Sequence, residues 1–142
     1  MKRIRIAGHP LHPALVHLPL GLLTAVPILM LVGRFGPAPA WATGARVVLE
    51  LGLIAAAPAA IAGLVDLLAV RGDGRPMTVA ILHMSAMVGA VGADALAWFV
   101  WDKPHTAFGL AVFGAALLLA GGYAGGRLVY EHNVATRAEE PP

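Results

Sequence analysis

Residues 13–33 read PALVHLPLGLLTAVPILMLVG, and this stretch decides the fold. It holds no Asp, Glu, Lys or Arg, and only one imidazole, His17. As a helix it is long enough to cross a hydrocarbon core of about 30 Å. Three more stretches of the same kind follow, at about 47–70, 77–101 and 107–130. None shows the short apolar/polar alternation of a barrel strand, which excludes strands as the spanning elements. The pattern predicts an all-α membrane protein, an antiparallel bundle of four transmembrane helices. One domain is expected over residues 1–132, followed by a polar, Pro-terminated tail at 133–142.

The breaks between the stretches are chemically clear. Arg34-Phe35-Gly36-Pro37-Ala38-Pro39 ends the first, Arg71-Gly72-Asp73-Gly74-Arg75-Pro76 turns the second into the third, and Asp102-Lys103-Pro104-His105 separates the last two. Connections this short favour up-down-up-down neighbours.

Composition agrees. Of 142 residues, 58% are apolar and 13% charged, a balance that leaves a small soluble domain too little polar surface to cover itself. The net charge of +2 therefore reads as membrane-flanking basic residues, with the lipid bilayer and not nucleic acid as the partner. The absence of cysteine excludes disulfides, thiolate metal sites and Cys-ligated iron–sulfur clusters. Met1-Lys2-Arg3-Ile4-Arg5 has the charge of a signal-peptide start, but no convincing small-residue cleavage site follows, so the first helix is read as retained. One side of the bundle carries Lys2, Arg3, Arg5, Arg71, Arg75, Arg127 and Arg137, against Arg34, Arg46 and Lys103 on the other. That asymmetry puts both termini in the cytoplasm. Trp41, Trp98 and Trp101 fall near the opposite boundary, as an interfacial belt would.

Threading the helices gathers the histidines. His9, His12 and His17 lie before or inside the start of the first helix, His83 about two turns into the third, and His132 just beyond the fourth. All share the half of the bundle that holds Asp66; His105 is opposite. His17 and His83 have similar depths inside their helices and are expected to face each other across the interior, with Asp66 in the same cluster. A lone imidazole in a membrane helix is adequately explained as polar glue between helices. Two at matched depth, with a carboxylate nearby, weigh towards a functional site. In the fourth helix, Gly121-Gly122 and Gly125-Gly126 form small-xxx-small pairs, and Ala55, Ala59, Ala62 and Asp66 share a face of the second. These suit close helix packing and equally a flat cofactor.

Several motifs occur together and in order: HPLHPALVHLPLG at 9–21, GLVDLL at 63–68, His83 early in the third helix, and GGRLVYEHNV at 125–134. The chain thereby resembles, over nearly its whole length, the bacterial membrane family known as domain of unknown function 2231 (DUF2231). The family name carries no activity. Members occur joined to Rieske-type iron–sulfur domains, so the resemblance implies an electron-transfer setting in a bacterial inner membrane, although this chain has no such domain. The family's closing motif usually continues Gly-Val after the position of His132, where Asn133-Val134 stands here.

Three functional readings follow. In the first, the protein is a b-type cytochrome-like carrier or redox-complex subunit, with His17 and His83 as axial ligands of haem b. Arg71, Arg75 and Arg127 would pair with the propionates, Gly21 and the fourth-helix glycines would leave room, and Asp66 would orient a ligand imidazole. In the second, His9, His12, His17, His83 and Asp66 bind Zn, Cu, Ni or non-haem Fe in a transport-related protein. In the third, the protein is an accessory subunit of a larger membrane complex or a homo-oligomer docking through its fourth helix, and the histidines are structural. No nucleophile–base pair, phosphate loop or acidic dyad is visible, so catalysis by the chain alone is not expected. Glu50 and Asp94 lie at other depths, and two isolated carboxylates assign no role.

Overall fold

The computed structural model describes residues 5–6, 9–35, 40–68 and 74–132. Four helices account for nearly all of them: α1 (Leu11–Phe35), α2 (Ala40–Leu68), α3 (Arg75–Phe99) and α4 (Pro104–Tyr130). Each is long and apolar enough to cross a membrane. Ahead of α1, β1 (Arg5–Ile6) pairs antiparallel with β2 (His9–Pro10), with Ile6 opposite His9. The 69–73 turn, with Arg71, and the 133–142 tail lie outside the described residues.

Local chemistry sets the helix ends. Gly74 precedes α3 at φ 96°, a backbone conformation that costs glycine little, and Pro104 opens α4 where its missing N–H would be unpaired in any case. Helix α2 starts at Ala40, earlier than the residue-47 start expected from hydropathy. That expectation took Arg46 as a boundary. Its charge is instead met one turn on, Nε lying 3.2 Å from Glu50 Oε1, and the helix runs through it.

The bundle is apolar on both sides but sorted by size. Its interior is rich in alanine, with Ala45, Ala90, Ala97, Ala107 and Ala111 fully buried, while Ile28, Ile54, Ile61, Val88, Phe113 and Leu119 face outward. Lipid tails are as apolar as leucine, so helices gain little by hiding large side chains from them; they gain by close approach across small ones. Packing is most extensive within two hairpins, α1 on α2 and α3 on α4. Between hairpins, α1 meets α4 and α2 meets α3 over fewer residues, leaving α1 and α3 diagonal.

The two hairpins are built alike. Leu23 of α1 fills the space in front of Gly52 on α2, and Asp94 of α3 fills the space in front of Gly114 on α4. His12 lies against Gly63, and His83 against Gly125. The offset from Leu23 to Asp94 equals that from His12 to His83, and Gly52 to Gly114 equals Gly63 to Gly125. Buried positions follow suit: Ala45 with Ala107, Leu49 with Ala111, Ala56 with Leu118. The chain is thus an internal repeat of two parallel hairpins about an approximate twofold axis along the bundle.

A side chain at Gly52 has nowhere to go, since a Cβ there would lie 2.5 Å from Leu23 Cδ2 and 2.8 Å from Cγ. Gly52→Val is expected to destabilise the bundle by about 1–3 kcal/mol, the usual cost of overpacking. Gly21→Ala, at an outward glycine with no atom near its missing Cβ, is expected to be neutral or mildly stabilising. Unfolding of both variants in mixed micelles, followed by circular dichroism, checks the contrast.

Candidate functional site

At the end of the bundle where α1 and α3 begin, two imidazoles meet across the diagonal. The rings of His12 and His83 have centroids 6.3 Å apart and planes at 78°. Each is tied back within its own hairpin. His12 Nδ1 is 2.9 Å from the Ala59 carbonyl of α2, and His83 Nδ1 is 2.7 Å from the Gly121 carbonyl of α4. Ala59 and Gly121 are again equivalent positions of the repeat, each one turn before the glycine that admits the ring.

Those glycines are needed. A Cβ on Gly63 would sit 2.8 Å from His12 Cε1, and one on Gly125 would sit 3.0 Å from both Cε1 and Nδ1 of His83. The hydrogen bonds also fix the tautomer. A carbonyl oxygen only accepts, so both Nδ1 atoms carry the proton and donate, and the basic lone pair of each neutral ring is on Nε2. Histidines that ligate metals are commonly held in this way, with one ring nitrogen anchored to a backbone carbonyl and the other left basic.

The spacing predicts His17 as the partner of His83, and the structure places another ring there. His17 is exposed, and it is His12 that meets His83. Five residues on, His17 is rotated about 140° from His12 around α1 and lies about 7.5 Å deeper. The apolar stretch at 13–33 leaves His12 ahead of the first helix, whereas α1 begins at Leu11 and includes it. Asp66 acts electrostatically on His12, but the ring is oriented by the Ala59 carbonyl and not by the carboxylate. Of the expected cations, Arg75 is exposed at this end of the bundle. Arg127 is engaged by Glu131, with Nη2 2.8 Å from Oε2, and its hydrogen bond holds that carboxyl below the usual range. Arg71 and the side chain of His9 lie outside the described residues. Gly21 faces outward, whereas Gly121 and Gly125 face α3. Among the described residues, no three His, Cys, Asp or Glu side chains gather as a metal-binding group.

Polar groups also meet near the other end. Trp98 Nε1 donates to Glu50 Oε1 at 2.9 Å, and Arg46 both donates to that oxygen and lies 5.8 Å from the Trp98 ring centroid. Glu50 is therefore not isolated, as its position alone suggested. Two short echoes in the sequence mark the repeat that was not read from it: Leu11-His12 with Leu82-His83, and Ala62-Gly63 with Ala124-Gly125.

Removing either tied imidazole removes a hydrogen bond between helices. His12→Ala and His83→Ala are each expected to cost about 0.5–2 kcal/mol of bundle stability, the range of interhelical hydrogen bonds in membranes. His17→Ala is expected to cost nothing measurable. Equilibrium unfolding of the three variants in micelles makes the comparison.

No curated protein and no solved structure matches this chain. A family model does, that of DUF2231, described as a predicted membrane protein, and its match over residues 8–138 spans all four helices and both imidazoles; the chain belongs to that family.

Proposed function

We propose that the protein is a membrane electron carrier or redox-complex subunit that binds haem b between its two hairpins, with His12 and His83 as the residues that would hold its iron. The observation that carries this reading is the imidazole pair: one ring from each hairpin, both tied through Nδ1, both with Nε2 basic. The ring centroids lie 6.3 Å apart, close enough for both imidazoles to bind one metal ion.

The seam between the hairpins, where helix contact is sparsest, is where His12 and His83 would hold the group. When bound, the haem supplies one-electron chemistry at its iron. The chain's own contribution would be to fix the two imidazoles through Nδ1 and to exclude lipid with the flanking helices. Arg75, at the same end, is suited to pair with a propionate. Haem needs only two protein ligands, whereas a structural zinc site takes four and a catalytic one three. The described residues offer no such group, which favours haem over the non-haem reading. The excess of Lys and Arg at the histidine end supports a cytoplasmic location for it, in a bacterial inner membrane.

Absorption spectra test the reading. The wild type, purified in detergent from haem-sufficient cells, is expected to show a Soret band and sharpened visible bands on reduction. His12→Ala and His83→Ala are each expected to lose them while keeping their helical content, and His17→Ala is expected to keep them. A wild type that stays colourless after haem addition overturns the proposal; stoichiometric metal without a Soret band would support the non-haem reading instead. For orientation, single cysteines placed at Arg75 and Lys103 in this cysteine-free chain are expected to label from inside and outside respectively.

A further inference from the structure

The repeat exposes a difference that packing does not explain. Leu23 and Asp94 occupy equivalent positions, each fully buried, each filling the notch before a glycine of its own hairpin. Leucine performs this task in the first hairpin. In the second, the side chain is a carboxyl of similar reach, packed so closely that a Cβ on Gly114 would lie 3.0 Å from Oδ1 and 3.1 Å from Oδ2. Neither oxygen has a hydrogen-bond partner among the described residues. A buried carboxyl without partners is costly in any protein interior and more so within a membrane, so apolar packing alone would favour leucine here as well.

We propose that Asp94 is a proton-binding site inside the bundle, reached from the tryptophan end past Glu50. Binding adds a proton to one carboxylate oxygen and removes the charge from a place with nothing to balance it; release restores the charge, and no electrons move. Trp98 lies one helical turn from Asp94 on the same face of α3, and it holds the Glu50 carboxylate at that level. Glu50 in turn reaches the half-exposed Arg46, so a chain of polar groups leads from the surface to the turn above Asp94.

Helices α1 and α4 add no charge at this level. From Leu18 to Gly33, α1 has no titratable residue, and α4 has none between His105 and Tyr123. On α3 the nearest other titratable residue is His83, about 16 Å away along the axis at 1.5 Å per residue. Glu50 and Arg46, both on α2, are the charged groups nearest this level. The site is thus chemically separate from the imidazole pair, and the proposal stands whether or not that pair binds haem.

Infrared difference spectroscopy of the protein in liposomes tests it. The wild type is expected to show a carboxylic-acid carbonyl stretch that shifts in D₂O and falls and recovers reversibly as pH is raised and lowered. Asp94→Asn and Asp94→Leu are expected to lack that band. Asp94→Leu, which copies the first hairpin, is expected to fold with unchanged or higher thermal stability; if it does not fold, Asp94→Asn still identifies the band. In Glu50→Gln the band is expected to persist while its hydrogen–deuterium exchange slows several-fold. A band shared by wild type and Asp94→Asn, one indifferent to pH throughout the folded range, or exchange unaffected by Glu50→Gln overturns the proposal.

Discussion

Within hydrocarbon no water is at hand to satisfy a polar group, so each must find its partner inside the protein or bear the cost. Most of this bundle's architecture answers to that constraint. The backbone is satisfied by helices, and the two imidazoles at one end by carbonyls of the neighbouring helix. Thr24 donates to the Leu20 carbonyl one turn back, and Glu50 collects Trp98 and Arg46. Glycine makes the interhelical bonds reachable: with Gly63 and Gly125 lacking side chains, the rings lie flush against α2 and α4 and their nitrogens reach backbone oxygens.

Against that background, two places stand out for what their polar groups leave over. The imidazoles are satisfied on one nitrogen and basic on the other, the condition of a ligand. Asp94 has a partner on neither oxygen among the described residues. One site lies on the approximate twofold axis and uses both halves equally, whereas the other belongs to one half and breaks the equivalence. A repeated scaffold lends itself to this division, because a polar side chain can fill the notch in one copy while its counterpart shows what packing alone requires.

The membrane fold was legible because a soluble domain has little use for uncharged runs of this length, and Pro, Gly and charge marked the turns. The start of α2 was not, because the pairing of Arg46 with Glu50 lets a charged residue continue a helix that hydropathy would begin later. The convergence of histidines on one end was legible from counting helices. Which histidine meets His83 depended on a rotation of about 140°, set by where α1 begins. The hairpin repeat hid in small residues, since alanine and glycine recur so often in membrane helices that the echo of Ala62-Gly63 in Ala124-Gly125 does not stand out from the background.

The contrast between dense packing within hairpins and sparse packing between them has a consequence for biosynthesis. Chains fold from the N-terminus as they emerge, so α1 and α2 can dock on each other before α3 has been made. At that moment the His12 ring already has its carbonyl and its glycine, and the hairpin that carries His83 has not yet arrived. The arrival of the second hairpin closes the seam from the other side. If the seam holds the proposed group, the first hairpin can capture it during assembly, before the bundle is finished.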